Sequence, residues 1–155
     1  MKILQRLALA ALLGAVATPA SHAFDAAALP QTASGHAYAE VRRAVRKADA
    51  LTIELRFVTD EAGYSGEAIY ADLDEASLGA IHVEAGGRRY DLARDAAGKP
   101  RAPTALELTF NYDPSKNPRV GSWKGVFSAP PGDVVDATLF LPNVAVIGPF
   151  AISDH

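Results

Sequence analysis

Apolar and polar residues alternate along most of this chain with the period of two that a half-buried strand requires. Residues 51–58 set the pattern. Leu51, Ile53, Leu55 and Phe57 fall on one face, and Thr52, Glu54 and Arg56 on the other. The alternation returns with Ile81 and Val83 against His82 and Glu84, and with Tyr90 and Leu92 in phase. Leu106, Leu108, Phe110 and Tyr112 then oppose Glu107, Thr109 and Asn111. Trp123 pairs in phase with Phe127, and Val135 with Ala137, Leu139 and Leu141. Residues 66–73, carrying Ile69 and Tyr70, and residues 143–152 add two further strand-like runs. Between them stand turn signals: Gly86-Gly87, residues 95–99, residues 113–118 and Pro130-Pro131. Glycine reaches positive φ without steric cost, and proline ends a ladder or sits on its edge.

Residues 37–48 fit two periods. Ala37, Val41, Ala44, Val45 and Ala48 make a helical stripe. As a strand, Ala39, Val41 and Val45 share a face that Arg43 interrupts. The clean strand that follows, joined by the polar turn at residues 47–50, favours strand and a hairpin. The series is then eight or nine short strands with no long helix. Each half-apolar sheet must bury its inner face, so the expected architecture is an all-β, antiparallel two-sheet sandwich, with a closed barrel as the alternative.

The N-terminus changes the picture of where this domain works. Lys2 and Arg6 precede an uncharged Leu/Ala-rich run from Leu7 to Ala17, and Ser21-His22-Ala23 is a small-x-small cleavage site. This is the pattern of an export signal, residues 1–23, cleaved after Ala23; the run is too short for a membrane anchor. A lead-in at residues 24–35, Ala-rich and flexible, and one domain at residues 36–155 follow. The expected location is the periplasm or the medium. Without Lys2 and Arg6, 13 basic residues face 18 acidic ones, a formal charge of −5. That balance argues against nucleic acid or an anionic membrane as the main partner. Cysteine is absent, which removes disulfides and thiol chemistry.

The stretch from Arg88 onward carries a resemblance. Tyr90, Leu92, Asp95, Gly98 and Lys99 come first; Trp123, Phe127, Ala129, Pro130, Pro131, Leu139, Leu141, Pro142 and Ile152 follow. Their spacing resembles Ig-like sandwich domains of bacterial secreted proteins of unknown function, over roughly residues 41–154. The resemblance implies an immunoglobulin-like sandwich and no catalytic residues. Some such domains carry cysteines after the Asp-Gly turn, where this chain has Arg101-Ala102-Pro103.

Candidate chemistry is sparse. His36, His82 and His155 lie at the loose start, on an outward strand position and at the last residue, so none pairs by sequence with an activated serine. Asp60, Glu61, Asp72, Asp74 and Glu75 read as solvated acidic loops; a carboxylate-dependent hydrolase or a calcium site is the competing reading. Asn111, Asp113, Ser115 and Asn117 read as turn chemistry. Arg88, Arg89, Arg94, Lys99 and Arg101 form one basic rim, and Arg42, Arg43, Arg46 and Lys47 a second. Solvated strand faces explain both, and docking to an acidic partner or an anionic polysaccharide is the alternative. Trp123, in phase with Phe127, reads as core rather than as a sugar platform. The expectation is a non-enzymatic exported sandwich, with no catalytic residue, cofactor or metal. It binds or supports an envelope protein or glycan, through a surface that includes Tyr64, Tyr70, Tyr112, Arg88 and Arg89. The alternatives are a small carbohydrate-binding module and a hydrolase.

Overall fold

The computed structural model describes residues 25–155, so the expected export signal lies outside the described residues. The strands run β1 (Tyr38–Lys47), β2 (Ala50–Val58), β3 (Glu67–Tyr70), β4 (His82–Ala85), β5 (Arg88–Asp91), β6 (Leu106–Leu108), β7 (Arg119–Ser128), β8 (Asp136–Phe140), β9 (Ile147–Ala151) and β10 (Ser153–Asp154). One helical turn, α1 (Glu75–Leu78), separates β3 from β4. The described residues are thus all-β apart from α1 and a 3₁₀ turn at Ala26–Ala28. Residues 37–48 adopt the strand alternative.

Two four-stranded sheets, in the orders β10-β1-β2-β7 and β5-β4-β8-β9, are joined by the pair β3-β6. Neighbouring strands are antiparallel except β10, which runs parallel to β1. One hydrophobic cluster draws on all three sheets. Leu51, Ile53, Leu55, Phe57 and Phe127 meet Val83, Ala137, Leu139 and Ile147, with Ile69 and Leu108 from the third. The alternation of β2 therefore works as its sequence demands. Burying each such side chain contributes about 1.5–3 kcal/mol.

β1 shows why its sequence fitted two periods. Val41 pairs with Leu55, but Arg43 pairs with Glu54, so Arg42 is an extra residue and the strand is bulged there. The bulge moves the inward set from Ala37, Ala39 and Val41 to Ala44 and Arg46. Ala37, Ala39, Ala44 and Arg46 are all buried. The hairpin turn then closes on Ala48, at φ 53, and Asp49.

On β7, Trp123 is buried as expected, 2% exposed. Its ring lies along the strand over Gly125, in the space a Cβ at that glycine would need. The indole Nε1 donates to the Tyr70 hydroxyl at 2.8 Å, and that hydroxyl donates to the Pro103 carbonyl at 3.2 Å. The indole thus ties β7 to β3 by hydrogen bond as well as by packing.

Asp74 belongs to a helix start rather than an open acidic loop. Its carboxylate accepts from the Ser77 amide at 2.8 Å and caps α1. Residues 31–33 are tied to the fold: the Ala33 amide donates to Asn143 and the Ala145 amide to Gln31. No helix among the described residues is long and apolar enough to cross a membrane.

Candidate binding surface

Outward positions of β1, β2 and β7 carry a cationic face. The register sets Glu40 opposite Arg56, Arg43 opposite Glu54, Glu54 opposite Lys124 and Arg56 opposite Ser122. A groove over this face is lined by Arg42, Glu54, Arg56, Arg119 and Lys124, together with Asn117 and Pro103. A second hollow, with Arg43, Lys47, Thr52 and His155, shares Glu54 and Lys124 with the first. Six cations thus meet two carboxylates, Glu40 and Glu54, on a described chain whose formal charge is −5. The face is positive and the remainder of the surface correspondingly more negative, so the molecule is strongly polarised.

The two carboxylates order the arginines without neutralising them. Glu40 accepts from Arg42 Nη1 at 2.8 Å and from Arg56 Nε at 2.8 Å. Partial burial raises the Glu40 pKa, but the hydrogen bonds and charges of Arg42 and Arg56 outweigh it and hold the carboxyl below its ordinary range. Lys124 pairs with Glu54 at 3.1 Å. Among the described residues, Arg43 Nη2 meets only a ring nitrogen of His155, at 3.1 Å, so its charge stays available. Such a face attracts an extended polyanion through several exposed, salt-sensitive contacts.

Arg46 leaves the basic rim to which its sequence position assigned it. The bulge turns it inward, where only 7% of it is exposed. Its Nε and Nη2 hold both carboxylate oxygens of Asp154, at 2.6 and 2.9 Å. Nη1 donates to the carbonyls of Pro130, Pro131 and Val134, and Nη2 to that of Gly132. One guanidinium therefore gathers the Pro-Pro-Gly turn and β10 onto β1.

The sequence-predicted binding residues do not converge. Tyr64 and Tyr70 are only 3% and 6% exposed, so neither presents a ring to a ligand, which corrects the expectation for both. Each hydroxyl is instead engaged inside the fold: Tyr64 donates to Glu67 at 2.9 Å and Tyr70 to Pro103. Burial pushes the Tyr70 hydroxyl up to about 12, and burial with the Glu67 carboxylate raises that of Tyr64 as well. Arg88 and Arg89 are exposed on β5, and Arg89 bonds Asp91 and the Gly79 carbonyl. Tyr112, by contrast, is left in solvent, at 79% exposed. Phe110 departs from its core phase and is 61% exposed, because β6 ends at Leu108 and the chain leaves the sheet.

No family model matches this chain, and neither does a curated protein or a solved structure.

A second polar cluster lies where the lead-in meets the β2–β3 loop. Thr32, Ser34 and Tyr64 all donate to one oxygen of Glu67, at 3.0, 2.8 and 2.9 Å. The imidazole of His36 bonds Glu61. Ser34 accepts from the His36 backbone amide and spends its proton on Glu67, so its oxygen is not bonded to the imidazole as a His-activated nucleophile requires. The arrangement fastens the lead-in to β3. His82, read as outward, is half-buried: its ring stacks on Phe140, its partner across β4 and β8, with centroids 4.6 Å apart. Its Nδ1 is buried with no hydrogen-bond partner among the described residues.

Of the groove cations, Arg42, Arg43 and Lys47 stood in one basic run and Arg56 at an outward strand position, while Arg119 and Lys124 carried no sign of joining them. Arg56, Arg119 and Lys124 come from strands distant in sequence. Their shared face follows from register, which no local pattern prints.

Proposed function

We propose that this chain is an exported, immunoglobulin-like β-sandwich that works by binding. Its ligand is an anionic component of the cell envelope or the extracellular medium, seated on the outer face of β1, β2 and β7. The observation that carries this reading is the gathering of Arg42, Arg43, Lys47, Arg56, Arg119 and Lys124 on one face of an acidic chain. The signal-like pattern of residues 1–23, the two four-stranded sheets around one apolar cluster and the spacing of Trp123, Phe127 and Pro130-Pro131 support the remainder.

The test is retention on immobilised polyanions. At low salt the chain should be held by polygalacturonate, and eluted as added salt screens the contacts over about 8–10 Å. A triple variant, Arg43→Gln, Lys47→Gln and Arg119→Gln, which leaves Glu54 its pair with Lys124, should elute at lower salt than the parent while melting near the parent temperature. Flow-through of the parent at low salt would sink the reading. For the export signal, intact-mass measurement on protein from the expressing cells should give a chain that begins at Phe24; one that keeps Met1 refutes cleavage.

A further inference from the structure

Resting on that reading, we infer that the anionic ligand is an acidic polysaccharide, whose sugar rings stack on Phe110 and Tyr112 while its carboxylates lie along the cationic groove. These are the most exposed aromatic side chains among the described residues, at 61% and 79%. Phe110 has the phase of a core residue and is nonetheless left in solvent. Both flank Asn111, whose side chain donates to the Asn117 carbonyl at 2.7 Å. Asn117 lines the cationic groove, and its own side chain accepts from the Arg119 amide at 3.1 Å. The residue between the two aromatics is thus hydrogen-bonded to a residue that lines the groove.

The loop that carries the pair is held in shape before any ligand arrives. The Asn111 amide donates to Tyr64 at 2.8 Å, and the Gly63 amide to Tyr112 at 3.1 Å. Asp113 accepts from Ser115 and pairs with Lys116 at 2.9 Å. A loop backbone fixed in advance has less conformational entropy to lose on binding, which suits stacking. Polypeptide acids offer carboxylates but no flat apolar ring face. Uronic-acid polymers offer both at each residue. Charge alone would serve either ligand; the aromatic pair next to the charge is what favours the sugar.

Two polymers matched in carboxylate chemistry separate the cases: polygalacturonate, with sugar rings, and poly-L-glutamate, without them. Binding is measured by titration at fixed low salt, with the parent chain and a Phe110→Ala, Tyr112→Ala double variant. The parent should prefer polygalacturonate, and the variant should lose about tenfold on it while its affinity for poly-L-glutamate is unchanged. A single Tyr112→Phe variant should keep the polygalacturonate affinity, because the ring face is retained. Equal affinity of the parent for both polymers, or a variant that loses nothing on polygalacturonate, would overturn the polysaccharide assignment and leave the cationic site standing. Binding to neither polymer would overturn both. Unchanged melting temperatures show that any loss comes from the contact.

Discussion

Arg43 and Arg46 stand on one strand, in one basic run, and meet opposite fates. Arg43 faces solvent with a ring nitrogen of His155 beside it. Arg46 faces inward and spends its donors on Asp154 and four carbonyls. The bulge at Arg42 decides which is which, because one unpaired residue reverses the facing of all that follow. The two faces of β1 thus hold the two uses of a guanidinium. Inside, its planar fork organises backbone; outside, its charge is left for a partner. Changes on the inner face should cost stability, and changes on the outer face binding.

The largest predicted loss is at Arg46. Arg46→Ala removes the guanidinium donors from the Pro-Pro-Gly turn and leaves Asp154 without its pair, so its melting temperature should fall several times further than that of Arg43→Ala. Arg46→Lys should recover only part of the loss, since a compact ammonium cannot reach so many acceptors in one plane. If Lys restores the parent value, charge alone matters and the fork does not. Next comes Gly125→Ala. The Trp123 ring occupies the space a Cβ would need, with backbone on one side and core on the other. Overpacking of this kind costs about 1–3 kcal/mol, readable in urea unfolding. A loss below 0.5 kcal/mol, roughly the surface-substitution range, would mean that the indole has somewhere else to lie.

A smaller effect is read by pH. The hydrogen bonds and charge of Arg46 hold the Asp154 carboxyl below its ordinary value. A carboxyl depressed in the folded state stabilises the fold at pH above its unfolded value, about 4, and that contribution is lost as pH falls through the depressed one. Glu40, Asp74, Glu75 and Asp113 are lowered too, so the whole chain should weaken in acid. The latch is isolated by comparison: Asp154→Asn should start less stable at neutral pH and lose less between about pH 5 and 2. Parallel curves for the two proteins would show that Asp154 adds nothing pH-dependent.

How far the sequence carried depended on whether the signal was local. The alternation of β2, the Gly86-Gly87 turn and the inward Trp123 were legible because each follows from neighbours in the chain. The all-β class followed from the repetition of such runs. The bulge was not legible: Arg42, Arg43 and Arg46 look alike until pairing with β2 fixes their facing. Tyr64 and Tyr70 misled for a related reason. An aromatic with a hydroxyl suits a surface or a core that supplies a partner, and Glu67, Pro103 and Trp123 supply them. Phe110 erred in the other direction, since its phase continues a strand that stops at Leu108. The one-turn helix α1 left a faint sign in Asp74 ahead of Glu75, the order of a capping residue and a first-turn acid.

The smallest predicted stability change tests the outer face most sharply. Arg43→Ala removes an exposed guanidinium whose neighbour across β2 is Glu54, and Glu54 keeps its pair with Lys124. No buried group loses its partner, so unfolding should shift by no more than about 0.5 kcal/mol. Retention on polygalacturonate should nevertheless weaken, and its dependence on salt should become shallower, because one fewer charge meets the polymer. A variant that unfolds like the parent and still binds like it would show that Arg43 faces no ligand. A variant that unfolds early would show that β1 has no purely outer face, and the division between its two arginines would fail.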